Sequence, residues 1–542
     1  MTERRWAALL VLATVALALR AFLPTLGWGY TDADAWADVA WARHPLRDQL
    51  LVKLTGGVAG DDANFWRPAA MVQFWIERRL FGDDPRGWHA WDLGVHLLAS
   101  LLAGHYVARQ ARFAGRPHHA LATAATLAFV VYPLTEDVVP ANARNLDLLL
   151  GVGVFGALGA LVRLEERRRA GVSGGWGLLL LGVGLALGAK EAAVLLLGLC
   201  PLWVLLFRGD LPLRGRVVEA AKVMAPVAAL TGVWLGVRSS VLGGVGGYYE
   251  TIRADWVWAA LGRAFIEPFV PSLSAWAPED WRTTVPLTLV WAVLLRAGWR
   301  SDHRATVLFG AAWFLAATAL FAATGTCSRR VYYVPTLAGL LVVLPALLHG
   351  WRTPIGAVLA GAWLLVFLHG SPAVVRYTQW AEAARASDLY RDVGFWERLP
   401  TGAEVWLADR PFRVDIDPRT FRFFGGRAKS LHHGAPAYAI QAWVDEALPE
   451  RRLRVATLTG FALEAPVEAQ EVVAETHDGA LVIRHRGGER QRWDVRSPFT
   501  VTSEGALLRV SVKRPGPERY VVVWTKDGPR AWSAATGAWL EG

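Results

Sequence analysis

The chain has 542 residues, 54% of hydrophobic types and 19% charged, with a formal net charge of +10 and a mean hydropathy of +0.28. Soluble domains carry about 25% charged residues, so this balance excludes disorder and argues against a plain soluble enzyme, and two cysteines, Cys200 and Cys327, exclude a disulfide scaffold. The positive charge is nearly all Arg, gathered in short clusters between apolar blocks, where topology signals belong and where a nucleic-acid face does not. The 28 Trp residues suit the headgroup region of a bilayer.

Apolar stretches of spanning length are predicted at residues 6–26, 88–108, 118–134, 146–164, 176–189, 192–207, 217–237, 285–299, 305–323, 332–348 and 354–371, about eleven transmembrane helices. Ala16-Leu17-Ala18 resembles a signal-peptide cleavage site, but the apolar run continues past it, which favours a retained first helix. The pair flanking Lys190 is short enough to form one bent re-entrant unit instead of two spans. Alternate loops hold Arg109, Arg112 and Arg116; Arg163, Arg167, Arg168 and Arg169; Arg208, Arg214 and Arg216; and Arg296, Arg300 and Arg304. Read as inside loops, they put the N-terminus in the cytoplasm and the tail outside.

Two long outer loops follow from that orientation, 27–87 and 238–284. In the first, Pro68 is expected to open a helix reaching Phe81, too short and charged to span and suited to the interface. The second carries Gly243-Gly244-Val245-Gly246-Gly247, a lid or merely a flexible linker. The expected domains are a membrane part, 1–373, and an extracytoplasmic soluble α+β tail, 374–542. In the tail, 380–399 reads as an amphipathic helix and 405–408 as a strand. From Glu471 onward, alternation punctuated by Asp478-Gly479, Gly487-Gly488 and Asp527-Gly528 reads as a small antiparallel β domain.

Ionisable residues at membrane depth are costly and need a reason. Five clusters fall at the outer ends of spans: Asp32, Asp34 and Asp38; Arg67 with His89, Asp92 and His96; Glu136 and Asp137 with Arg144 and Asp147; Lys190-Glu191; and Arg329-Arg330 with Tyr332 and Tyr333. Each has a plainer reading. Asp34 caps a helix starting at Ala35; His89, Asp92 and His96, on one helix face, form an interhelical network and not a metal site; Lys190-Glu191 is a boundary ion pair; Arg329 and Arg330 are topology charges, though on the wrong side. Five clusters converging on one face favour an acidic lipid-linked substrate, with cations holding phosphate and a carboxylate acting as base.

The ordered set Asp32-Ala33-Asp34, Trp66-Arg67-Pro68, His89 with His96, Thr135-Glu136 with Arg144 and Asp147, Ala189-Lys190-Glu191 and Arg330-Val331-Tyr332-Tyr333-Val334-Pro335 resembles the C-type glycosyltransferase superfamily. The likeness is to bacterial relatives of the transmembrane TPR-containing O-mannosyltransferases and, more distantly, to the protein O-mannosyltransferase and aminoarabinose transferase families. It covers residues 1 to about 350. It implies a polytopic α-helical membrane protein of the bacterial inner membrane, a polyprenyl-phosphate sugar donor, an acceptor hydroxyl on protein, lipid or glycan, and inverting transfer with an Asp base. No cofactor, metal or nucleic-acid partner is predicted. Two features depart from the pattern: Ala33 separates acids that are adjacent in many relatives, and the tail lacks a TPR pattern. Counting through Trp36-Ala37-Asp38, Asp32 aligns with the first acid of the family motif and is expected to be the base, Asp34 the cap and orienter. The alternative is a non-catalytic lipid or polysaccharide translocator or assembly protein, which would need polar groups through the midplane; a degenerate transferase is a third reading.

Overall fold

The structure, a computed structural model, describes residues 2–31, 33–51, 54–55, 64–116, 119–132, 134–135, 138–243, 281–323, 329–351, 391–407, 437–460, 473–484, 492–493, 498–504, 507–513, 518–525 and 528–540, with isolated positions between 354 and 388. Thr2 caps α1 (Glu3–Phe22), its hydroxyl accepting from the Arg5 amide at 3.4 Å. Then come α2 (Ala33–Trp41), α3 (Leu46–Leu51) and the antiparallel pair β1 (Leu54–Thr55) and β2 (Asn64–Phe65). Pro68 opens α4 (Pro68–Phe81) as expected, and Asp84 caps α5 (Pro85–Phe113), accepting from the Arg86 amide at 3.1 Å. The helical series continues with α6 (His119–Val130), α7 (Asn145–Arg169), α8 (Trp176–Ala189), α9 (Leu196–Phe207), α10 (Leu213–Leu242), α11 (Trp281–Arg300), α12 (Arg304–Ala323) and α13 (Pro335–Gly350). A helix occupies each predicted apolar stretch through 332–348; the stretch 354–371 and most of the loop 238–284 lie outside the described residues.

Among the described residues, four helices are long and apolar enough to cross a membrane: Glu3–Gly27, Asn142–Arg169, Leu213–Leu242 and Arg304–Phe321. Shorter apolar helices accompany them at His119–Val130, Trp176–Ala189, Glu191–Phe207 and Pro335–Gly350. This is the make-up of a multi-pass membrane protein.

The chain divides into two compact units. The first comprises Met1–Gly27, Pro45–Arg376 and Phe423–Gly425; the second comprises Trp28–His44, Tyr377–Arg422 and Gly426–Gly542. The second unit thus takes in α2 along with the tail.

In the first unit, α7 and α8 meet along a seam of small residues. A Cβ on Gly153 would stand 2.6 Å from the Ala186 amide nitrogen, and one on Gly182 would stand 2.7 Å from that of Ala157. Lipid offers apolar side chains no advantage over each other, so spanning helices associate through such close backbone approach. The C-terminal end of α7 is tied by ion pairs. Glu165, fully buried, accepts from Arg168 at 2.8 Å and pairs with Arg208; Arg168 also meets Glu219 at 3.0 Å, and Arg169 meets Asp210 at 2.7 Å.

In the second unit the predicted helix 380–399 is broken. Arg391-Asp392 leave the helical path, and the Asp392 carboxylate caps a separate turn, α14 (Val393–Glu397), accepting from the Phe395 amide at 3.4 Å. β3 (Glu404–Leu407), α15 (Ala437–Ala447), β4 (Arg454–Thr457), β5 (Thr459–Gly460), β6 (Val473–His477), β7 (Ala480–Arg484), β8 (Arg492–Trp493), β9 (Phe499–Glu504), β10 (Leu507–Val512), β11 (Arg519–Thr525), β12 (Gly528–Ser533) and β13 (Ala538–Trp539) complete it. The sheet β6-β7-β10-β9 is antiparallel, as its hairpin signals require; the turn between β6 and β7 has positive φ at Asp478 and Gly479. The sheet β13-β12-β11-β3-β4 is mixed: the strands after Glu471 pair antiparallel with one another, as expected, whereas β3, the strand predicted at 405–408, runs parallel to both β11 and β4. Trp532, Val521, Val523, Leu481, Ile483 and Phe499 share its core. Within the same unit, α15 lies against α2 and β4, and Arg43 pairs with Glu446 at 3.2 Å.

The α7–α8 seam is testable. Gly153→Val should lower the thermal midpoint in detergent, since overpacking typically costs about 1–3 kcal/mol. Gly156 on the same helix has open space where a Cβ would go, so Gly156→Ala should leave the midpoint equal or higher. Equal effects of the two changes would refute the seam.

Candidate active site

The site is organised by the break after α8. Lys190 is extended, with φ −160° and ψ 147°, and Glu191 begins a tight turn, Glu191–Leu195, that leads into α9. An extended residue sends neighbouring side chains to opposite sides, so the two charges part. The Lys190 ammonium donates to Asp147 in the first turn of α7. The Glu191 carboxylate accepts both Nε and Nη2 of Arg67, at 3.2 and 2.9 Å, and Nη1 of Arg238 at 2.8 Å. Arg238 Nη1 also reaches the Trp66 carbonyl at 3.3 Å. The side chain of Asp147 is 2% exposed, that of Arg238 2% and that of Lys190 12%.

Arg330, in the turn Arg329–Tyr332 before α13, is near enough to Lys190 for their charges to interact, as is Arg67. Among the described residues, Arg67 and Arg238 thus meet Glu191, Lys190 meets Asp147, and Arg330 lies within electrostatic reach of Lys190, four cations beside two carboxylates. Asp147 Oδ2 and Arg330 make no ion pair or hydrogen bond among the described residues. Such a constellation is preorganised to take an anion. The guanidinium of Arg67 is already oriented by a two-point contact with Glu191.

A buried polar layer adjoins it. Asn142 Nδ2 donates to Asp92 Oδ2 at 3.1 Å and to His89 Nδ1 at 3.2 Å. His96 goes elsewhere: its Nε2 donates to the Val130 carbonyl at 2.9 Å, so its Nδ1 is the acceptor for the Tyr333 hydroxyl at 2.7 Å. The three α5 residues therefore share a buried side but separate into two contacts. No group of three or more His, Cys, Asp or Glu among the described residues is placed to hold a metal ion. The Tyr333 ring fits against α7 because Gly151 has no side chain; a Cβ there would stand 2.9 Å from its Cε1.

Glu77 and Arg238 stand outside the residues singled out by sequence. Glu77 is fully buried on α4, accepting from Gln73 at 2.7 Å and from Asn145 at 3.2 Å. The available signals were spacing and place: Gln73 and Glu77 lie four apart on a helix expected at the interface, and Arg238 ends an apolar span on the side that topology charges avoid. Burial pushes the Glu77 carboxyl up to about 8, outweighing its hydrogen bonds from Gln73 and Asn145. Gln73 Oε1 and Asn145 Oδ1 have no partner among the described residues, so a proton on Glu77 has acceptors at hand.

The remaining predicted residues are placed as follows. Arg144 closes the turn Asn142–Arg144 just before α7, half-buried. Tyr332 is buried against Phe314 and Phe321, ring centroids 6.0 and 5.5 Å away, and so packs on α12. Asp32 and Glu136 lie outside the described residues, as do the side chains of Asp34 and Arg329. The helix expected from Ala35 starts at Ala33. Asp34 is therefore within the first turn and Asp32 directly precedes it, so the capping argument no longer separates the two acids.

The sequence matches no family model and no curated protein. The fold is similar to that of ArnT from Cupriavidus metallidurans bound to undecaprenyl phosphate, at 14% identity over 84% of this chain and 90% of that one, with a TM-score of 0.45. It is similar to ArnT in the apo state at 14% identity, 82% and 89% coverage and a TM-score of 0.46. The arabinofuranosyltransferase AftD from Mycobacteria gives 15% identity over 84% of this chain and 32% of that one, with a TM-score of 0.39. Likenesses of this size are general, and any functional conclusion has to come from the site's own residues.

The Glu77 carboxyl gives a pH-dependent expectation. A folded-state value raised to about 8 from 4.5 contributes stability below the unfolded value, and that contribution is lost as pH rises toward 8. Glu77→Gln mimics the protonated form. Its thermal midpoint should exceed the wild type at pH 8, with the gap closing toward pH 5. A variant destabilised equally at both pH values would mean that the network holds an ionised carboxylate.

Proposed function

We propose that the chain is a membrane glycosyltransferase that moves a sugar from a polyprenyl-phosphate carrier to an acceptor hydroxyl. We place the site at the outer face of a bacterial inner membrane, with the N-terminus cytoplasmic and the tail extracytoplasmic. The observation that carries the reading is the cation surplus at the α8–α9 break, held by Arg67, Lys190, Arg238 and Arg330. The ordered motifs and the Arg-rich alternate loops support it.

The chemistry follows from the charge. As the bond from the anomeric carbon to the phosphate oxygen breaks, its electron pair leaves with the polyprenyl phosphate, whose negative charge grows by one. Fixed cations stabilise charge that develops in the transition state most effectively when they need not reorganise. Glu191 and Asp147 do that fixing here. The acceptor oxygen bonds to the anomeric carbon from the opposite side, inverting it, and its proton passes to a carboxylate. We assign that role to the pair Asp32 and Asp34, the acids of the motif order described above.

Undecaprenyl phosphate, the class of leaving group proposed, makes a probe that requires no knowledge of the sugar. Native mass spectrometry should show it retained by the wild type and weakened tenfold or more by Lys190→Met and by Arg330→Ala, since charge-assisted hydrogen bonds are each worth about 1.5–3 kcal/mol. Unchanged retention in both variants would remove phosphate from this site.

The base is tested by turnover. Mass spectrometry of glycans in a deletion strain identifies the product, and complementation with Asp32→Asn and Asp34→Asn then reads the role of each acid. The base variant should lose about 10²–10⁴-fold, and the other should be milder because Asn also caps a helix. Near-full activity in both would end the catalytic reading of this loop.

A further inference from the structure

A second amphiphile-shaped feature lies at the other end of α5 from the candidate site. His89, Asp92 and His96 belong to the first half of α5, whereas Leu98, Leu101, Leu102, Arg109 and Arg112 run down its second half at helical spacing. With Leu10 and Val11 of α1 they enclose an open groove of about 540 Å³, within the roughly 300–1,000 Å³ of pockets that hold organic ligands. Small residues, Ala7 and Ala108, line it where longer side chains would fill it, and α1 is held on its other side by α6. Trp6 Nε1 donates to Thr123 at 3.1 Å, and its ring meets that of His119 edge-on at 4.6 Å.

The apolar walls end in a ring of charge. Arg4, Arg109 and Arg112 line that end. Arg109 donates to Glu166 and, through Nε, to His105 at 2.9 Å; Arg112 donates to Glu3. Arg4 makes no ion pair among the described residues. Among the described residues, Arg109 and Arg112 thus meet carboxylates while Arg4 stands beside them, and Arg163 adds its charge within electrostatic reach of His105. Leucine walls below a cationic rim complement a glycerophospholipid with an anionic headgroup, the pattern of basic pockets between spanning helices on the cytoplasmic side.

We infer that the α1–α5 groove is a binding site for an anionic glycerophospholipid of the cytoplasmic leaflet, its phosphate on Arg4, Arg109 and Arg112 and an acyl chain along Leu98, Leu101 and Leu102. The assignment of leaflet rests on the orientation proposed above; the site itself does not. It is separate from the phosphate site at the α8–α9 break, and it takes a bilayer lipid and not a sugar carrier.

The test is native mass spectrometry of the full chain titrated with phosphatidylglycerol and with phosphatidylcholine of the same acyl chains. The wild type should retain phosphatidylglycerol preferentially. Arg4→Gln/Arg112→Gln should reduce that preference about tenfold or more, since basic side chains at the membrane surface attract anionic headgroups. Ala7→Trp, which fills the groove and keeps every charge, should abolish it independently. Lys190→Met should leave it intact, which distinguishes failure here from failure of the transferase reading. Equal retention of the two lipids by the wild type, or a preference untouched by both groove variants, would overturn the inference.

Discussion

Everything at the candidate site depends on one interruption of an apolar stretch. Between α8 and α9 the chain places a cation and an anion side by side and then, by extending Lys190, sends them apart. Neither satisfies the other. Glu191 is held by guanidinium groups from the entry to α4 and from α10, and Lys190 by a carboxylate on α7. A buried pair gains little net stability but is expensive to break from one side, because the survivor is left uncompensated. The break therefore fixes the relative positions of α4, α7 and α10 far more strictly than apolar packing in lipid would.

The carboxylates of the first unit divide by the company they keep. Asp147 and Glu191 meet cations, whereas Glu77 and Asp92 meet amides, from Asn145 and Asn142 respectively. An amide donor satisfies an oxygen without supplying charge. For Glu77, burial then favours the neutral acid. The amide layer can thus lie close to the cationic break without neutralising it. The two asparagines stand three apart around Arg144, at the corner where the chain enters α7, so the same residues that satisfy buried acids also set the direction of the helix that presents Asp147.

Much of this could be read from residue order. Apolar length located the helices, Pro68 gave the start of α4, and Lys190 and Glu191 stood out as charges that an apolar stretch does not tolerate without cause. Their partners were not legible, because spacing along the chain says nothing about a contact between Arg67 and Glu191, 124 residues apart. A boundary ion pair was the natural local reading, and only the backbone angles at Lys190 undo it. Arg238 escaped notice at the foot of a glycine-rich run, and Glu77 because its helix looked superficial from its charges. In the tail, hairpin signals marked the antiparallel strands, but the parallel registry of β3 with β11 joins segments more than a hundred residues apart and leaves no local pattern. The interruption at Arg391-Asp392 replaced a continuous amphipathic helix because Asp392 is a better cap than an interior residue.

The fastening of α7 at both ends has a mechanical consequence. Asp147 is tied to Lys190 at one end, Glu165, Arg168 and Arg169 are tied to neighbouring segments at the other, and the glycine–alanine seam holds the length between. Ratcheting α7 by one turn, about 5.4 Å, would rupture ion pairs at both ends at once and drive backbone into backbone at Gly153. The helix behaves as a strut, held at both ends and along its length.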